Sequence, residues 1–330
     1  MVINQFVLVF AMAGHETTRS TAAHFINLMS RHPDQYALLR SDFDAAKRVI
    51  LYTNTDAHCT LPYFNGFVAC DSEVAGYDAA QIKSSGLIDL VGMESIVALG
   101  GGHDAGGVAL QPLDQDAARA AILRQAPRVS AFAISASFGV RNPEHELQLR
   151  GWVEALCDKP VACGHELASS LGAPRRALTV ALNARMVSQV KLLIDSVRST
   201  LAARRIDAPL MIVKGDGSLI NVESALRRPV GTVLSGPAAS VLGACALSGQ
   251  QDAIVADMGG TTTDIAVVRG GRPELGFDGA MVGHWRPMIE AVKVYAIGLG
   301  GDSEVRFGGG EGLVIGPRRV VPLSLLVHEH

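Results

Sequence analysis

The sequence predicts an α/β fold built on a partly parallel sheet, and three observations carry that expectation. Short apolar runs alternate with helix-period segments through residues 129–213. The chain is 48% hydrophobic and 18% charged, and its 35 glycines are spread throughout, a composition of globular α/β proteins rather than of disordered ones. Two β-type runs near residues 253–268 are joined by a glycine-rich turn, which reads as a hairpin. At 330 residues there is room for two domains and a sizeable core.

The elements follow in chain order. Residues 10–42 show apolar residues at helical spacing through Phe25, Leu28 and Met29, and Pro33 starts a second helix. Residues 43–85 are turn-rich and stand unassigned, a linker or a remnant. Val129–Ser135 reads as a buried strand. Pro143 then opens a helix with Glu144 and Glu146 in its first turn, where acids suit the helix dipole, and Asn142 stands at the N-cap position. Pro160–Cys163 is a short strand. A long helix over about 175–205 presents Leu178, Leu182, Met186, Val190, Leu193 and Val197 on one stripe. Ala208–Val213 is the next strand. Ser235-Gly236-Pro237 starts a helix, with Ser235 as cap and Pro237 in the first turn; its free N–H groups face either an anion or simply a core contact. The glycine loop 297–303 follows an apolar strand, and FGGGEG at 307–312 reads as a hairpin turn.

Charge and cysteine usage narrow the function classes. The net charge is −3 with no basic patch, which argues against a nucleic-acid partner. The apolar stretch 6–13 is far too short to span a membrane and lacks the basic flank of a signal peptide. The five cysteines, Cys59, Cys70, Cys157, Cys163 and Cys245, form no CxxC pair, and an odd, scattered set fits reduced thiols in the cytoplasm.

The strongest chemical signal is DAIVADMGGTTTDIAVV at 252–268. Gly259 and Gly260 permit a tight turn and close approach to a ligand. Thr261, Thr262 and Thr263 add hydroxyl donors beside backbone N–H groups, a combination that suits phosphate. Asp257 and Asp264 flank the turn and can hold Mg²⁺ through water. Other polar groups read as structural: His145 as a surface or satisfied histidine, His103-Asp104 as part of a turn, and His165-Glu166 as a capping or interdomain contact, since H-E-x-x-H spacing is absent. G-x-S-x-G is absent too, so no serine nucleophile set is supported.

The 252–268 stretch resembles the phosphate-binding hairpin of the actin-like (ribonuclease H-like) ATPase superfamily, and more narrowly that of the hydantoinase/oxoprolinase family, hydantoinase A-type subunits. ISASFGVRNPEHELQLR (134–150), CGHELASSLGAPRRALTVALNARM (163–186), VKGDGSLINVESALRRPVGTVLSGPAASVLGA (213–244) and IGLGGDSEVRF (297–307) extend the likeness in family order. It covers residues 86–330 and implies an actin-like ATPase domain, incomplete here, with an extra N-terminal helical segment. It also implies ATP-dependent ring opening of a cyclic amide such as a hydantoin or 5-oxoproline, with ATP and Mg²⁺ as cofactors and a B-type subunit as partner. By the same likeness, Asp257 and Asp264 are the catalytic and metal-binding residues. Gly259, Gly260, Thr261, Thr262 and Thr263 hold phosphates, and Gly300, Gly301 and Ser303 line the nucleoside side.

The resemblance further implies a first hairpin of the same type near the N-terminus, and this sequence carries the motif once. Residues 10–42 instead resemble the central helix of cytochrome P450 enzymes through Ala13, Gly14, Glu16, Thr17 and Thr18. Haem chemistry there needs an axial cysteine in F-x-x-G-x-x-x-C-x-G, which is absent. The reading therefore divides the chain into 1–42, 43–85 and 86–330. Its alternative to an enzyme is a non-catalytic nucleotide-binding or subunit-interaction module.

Overall fold

The computed structural model describes residues 8–12, 49–53, 66–71, 86–92, 95–276, 279–282, 284–308 and 312–320. Its centre is a parallel sheet of β3 (Gly66–Asp71), β4 (Ile96–Leu99), β5 (Ala131–Ser135) and β6 (Val161–Cys163), in spatial order β4-β3-β5-β6. The helices α1 (Leu87–Val91), α2 (Gln115–Gln125) and α3 (Glu144–Leu156) make the crossovers. Strand β5 shows how the sheet is covered, because all five of its residues are buried. Ala131 and Ala133 face α1 and the long helix α5 (Ala173–Ala203). Phe132 and Ile134 face the other way, onto Ala118, Ile122, Leu149 and Val153 of α2 and α3. A strand buried on both faces reads as a continuous apolar run, as AFAIS does. Alanines on one side let α5 lie close, since it meets them with Ala177, Ala181 and Ala184.

Helix α5 also reaches a second sheet, β1-β2-β7-β8, made of β1 (Leu8–Met12), β2 (Val49–Thr53), β7 (Leu210–Val213) and β8 (Leu219–Asn221). The first three strands run parallel and β8 is antiparallel to β7. Asn183, fully buried in mid-helix, donates to the Arg227 carbonyl and accepts from the Val230 amide, tying α6 (Val222–Arg227) and the following turn to α5. By length and composition α5 is the one helix among the described residues that meets the test for crossing a membrane, but it is mostly buried inside the fold.

Two expectations change here. The helical reading of 1–42 falls largely outside the described residues, and its described part, Leu8–Met12, is a strand. The unassigned stretch 43–85 supplies β2 and β3, so a boundary at 86 would cut the central sheet.

The last third is antiparallel. Helix α7 (Ser235–Ser248) packs on a sheet of β9 (Ala253–Met258), β10 (Thr263–Arg269), β11 (Arg272–Pro273) and β12 (Val294–Ile297), with Ala238 and Val241 against Ala266 and Val268. The expected Ser235 cap is displaced by one residue. Leu234 takes the cap position in a left-handed conformation, with φ 61°, and makes no side-chain cap bond. Strands β13 (Ser303–Gly308) and β14 (Gly312–Arg319) form the expected hairpin. Among the described residues Cys157, Cys163 and Cys245 are free thiols.

Candidate functional site

The hairpin lies where the sequence puts it. Thr263 pairs with Met258 and Asp264 with Asp257, and the Gly259 amide closes the turn on the Thr262 carbonyl at 2.8 Å. Directly opposed residues of an antiparallel pair project from the same face, so the two carboxylates stand together. Asp257 is exposed and Asp264 half-buried. Like charges in that relation destabilise a ladder, and a hard cation shared between them removes the conflict. The amides of Gly260, Thr261 and Thr262 donate to no acceptor among the described residues. Successive N–H groups of this kind form an anion-binding concavity.

The glycine loop is sewn onto this turn. The Gly301 amide donates to the Gly259 carbonyl at 2.9 Å and the Asp302 amide to the Gly260 carbonyl at 2.7 Å. The Thr263 hydroxyl donates to the Leu299 carbonyl at 2.6 Å. Gly300 lies so close that a Cβ there would stand 2.5 Å from the Gly260 carbonyl carbon and 2.6 Å from the Thr261 nitrogen. Ser303 Oγ accepts from the Gly300 amide at 3.0 Å. The structure thus brings together all of the sequence-predicted residues: Asp257, Gly259, Gly260, Thr261, Thr262, Thr263, Asp264, Gly300, Gly301 and Ser303. Gly300 meets the turn's own backbone, a sufficient reason for a glycine there. Sequence reasoning passed over Asp302, a third carboxylate beside the turn, whose Oδ2 would lie 3.1 Å from a Cβ on Gly260. Its signal is its place directly after two glycines.

A second polar centre sits at the carboxyl end of the parallel sheet, the end at which ligands bind in such folds. Glu146 is fully buried. Its Oε1 accepts from the Ala136 amide and its Oε2 from the His165 amide, each at 2.8 Å, and His165 Nδ1 is 2.6 Å from Oε2. Buried Arg176 donates to the Ala136 carbonyl at 2.8 Å. Glu146, Cys163 and His165 have the spacing of metal ligands, yet their chemistry opposes a cation. Burial pushes the Cys163 thiol up to about 12, against the pull of neighbouring Arg150, so thiolate is scarce. The Glu146 oxygens are already engaged. The cluster locks α3 to the loop after β5 and to α4 (Gly164–Leu167), the short helix that directly follows β6. His145 is buried and satisfied, as expected: Nδ1 accepts from the Gly102 amide at 2.9 Å, and the ring lies 4.2 Å from that of His103. Asp104 holds its turn through the Gly106 and Val108 amides.

Comparison with known proteins places this architecture. Residues 73–157 match the hydantoinase/oxoprolinase N-terminal region and residues 176–322 match hydantoinase/oxoprolinase itself. The chain belongs to the hydantoinase/oxoprolinase family. As such a protein, it is 31% identical over 225 residues to the caprolactamase subunit alpha of Pseudomonas jessenii, spanning 67% of this chain and 32% of that one. It is 22% identical over 227 residues to the acetophenone carboxylase gamma subunit of Aromatoleum aromaticum, spanning 65% and 31%. The crystal structure of the ATP-dependent caprolactamase from Pseudomonas jessenii superposes with a TM-score of 0.67 at 26% identity, over 83% of this chain and 42% of that one. Nucleotide-free acetone carboxylase shares the fold at a TM-score of 0.64 and 18% identity, with the same coverage. This hydantoinase/oxoprolinase chain therefore spans less than half the length of each of these relatives.

Proposed function

We propose that the 257–264 hairpin is an ATP·Mg²⁺ site and that the chain serves ATP-dependent ring opening of a cyclic amide, in company with a B-type subunit. The observation that carries this reading is the row of three unpaired amides at Gly260, Thr261 and Thr262 between the opposed carboxylates Asp257 and Asp264. The amides suit phosphate oxygens. Three carboxylates beside them, Asp302 included, would repel a phosphate without an intervening cation, so donor set and metal fit each other. Bound ATP would transfer its γ-phosphoryl group to the amide oxygen and leave as ADP, so that water adds at the carbonyl carbon and the ring C–N bond breaks as phosphate is released. The chain's own part is positioning: the turn holds phosphates, the aspartates fix the cation, and the stitched loop 297–303 keeps the turn in shape. A similar caprolactamase subunit supports a lactam-type substrate, and relatives that are subunits of larger enzymes support a protein partner. The odd, scattered cysteines, free where described, support a reducing, cytoplasmic setting.

Calorimetry with Mg-ATP tests the site. Asp257→Asn is expected to weaken binding at least ~10-fold, ~1.4 kcal/mol; equal heats in variant and parent would place the phosphate elsewhere. The second reading, a non-catalytic nucleotide-binding module, draws on the motif's single occurrence in the sequence. Phosphate release with 5-oxoproline and hydantoins separates the two. The chain alone is expected to give little or no turnover, and substrate-stimulated release abolished by Asp264→Ala would show that it is a complete enzyme.

A further inference from the structure

Glu146 does two separable things. Its bonds from the Ala136 and His165 amides lock the fold. The third bond, from His165 Nδ1 at 2.6 Å, adds nothing to that lock and fixes only the imidazole ring. A buried carboxylate on one ring nitrogen determines which nitrogen keeps its lone pair. Here Nδ1 carries the proton towards Glu146, and Nε2 is left as an acceptor with no partner among the described residues. The His165 side chain is 20% exposed and that of Glu146 fully buried, so the pair opens outward at the ring.

The loop after β5 meets the same carboxylate through Ala136 and adds donors. The Ser137 and Phe138 amides, next along the chain, donate to no acceptor among the described residues. Ser137 is buried, and buried amides without a partner are rare in folded proteins. Phe138 is held at φ 51°. A bulky residue takes that conformation under strain, and such strain gathers at ligand sites. A Cβ on Gly139 would stand 2.6 Å from Glu146 Oε1, so the loop can seat the carboxylate only with glycine there. The place itself suits a ligand. Strand β3 leads into α1 on the α5 side of the sheet, and neighbouring β5 leads into α3 on the other. A crevice opens outside the carboxyl ends of strands related in this way.

We propose that His165 Nε2 and the amides of Ser137 and Phe138 form a binding site for the amide edge of a small ring. The ring N–H donates to Nε2, and the ring carbonyl accepts from the two backbone amides. A small ring holds its N–H and C=O on the same side, whereas an open-chain amide is trans and turns them to opposite sides. An acceptor and a pair of donors joined through one carboxylate therefore select cyclic over linear amides. The ligand class rests on the ring-opening reading above; the orphan donors and acceptor do not.

Diethyl pyrocarbonate, which acylates an accessible imidazole through its lone pair, probes the site in the full chain without ATP. Peptide mass spectrometry reads the modification of His165 among the ten histidines. The expected result is that His165 reacts, and that caprolactam, hydantoin or 5-oxoproline slows this reaction saturably while N-methylacetamide does not. Calorimetry should show the protecting ring amide bound at least ~10-fold more weakly by His165→Phe, the worth of about one hydrogen bond. Circular dichroism checks that the variant folds, and the protection assay needs no variant. An unreactive His165, a rate unchanged by every ring amide, equal protection by N-methylacetamide, or unchanged affinity in a folded His165→Phe would overturn the proposal. Loss of the Mg-ATP heats with this protection intact would sink the phosphate reading and leave this site standing, and the reverse result separates them equally.

Discussion

At the scale of single residues, Gly300 and His145 make the sharpest demands. A methyl at Gly300 cannot fit against the Gly260–Thr261 peptide, so turn and loop must part. Gly300→Ala is expected to cost about 1–3 kcal/mol by overpacking, read from urea unfolding, and to abolish Mg-ATP heats. Retention of both would mean that the loop is free to slide off the turn. His145 acts through its proton. Burial, with His103 beside it, holds its pKa below the ordinary 6.5. The folded state then takes up fewer protons than the unfolded one between the lowered value and 6.5, so stability falls as pH drops through that window and is unaffected well above it. Urea midpoints at a series of pH values from 8 down to 5 should show this loss, with a shallower slope in His145→Gln, whose amide oxygen still accepts from Gly102. Parallel slopes would assign the acid sensitivity to another group.

At the scale of elements, the close seating of α5 on β5 depends on alanines from both sides. Ala133→Leu is expected to destabilise by about 1–3 kcal/mol, because helix and strand must separate to admit three extra carbons; an unchanged melting curve would mean that α5 can give way. Elements with internal periodicity were legible in the sequence: α3, α5, β5, β7 and the 253–269 hairpin all fall within a few residues of expectation. Strands β2 and β3 were not. Five- and six-residue parallel strands amid turn-rich sequence carry no period of their own, and only pairing with distant β7 and β5 defines them. The site was legible where backbone chemistry determines it, in glycines, threonines and flanking aspartates. Asp302 escaped because its place beside Gly260 comes from a hydrogen bond across 42 positions. Glu146 appeared as an acid suited to a helix dipole, and its bond to His165 is a product of the sheet.

At the scale of the whole molecule, the P450-like sequence set residues 1–42 apart as a segment of their own. The structure gives part of that segment a role, since Leu8–Met12 extends the second sheet along β2. A chain begun at residue 44 leaves the β2 edge unpaired on that side. It is expected to melt several degrees lower than the parent, in line with a loss of about 1–2 kcal/mol; an unchanged midpoint would return the segment to the status of an appendage. The same molecule-wide view gives α5 a meaning in biosynthesis. Its 31 residues, ~46 Å long, are long and apolar enough to match the thickness of a membrane. Yet β3, β5 and β6, the strands that seat it, all leave the ribosome first. The helix therefore emerges onto a prepared surface, and each second of synthesis favours its burial in protein over its capture by lipid.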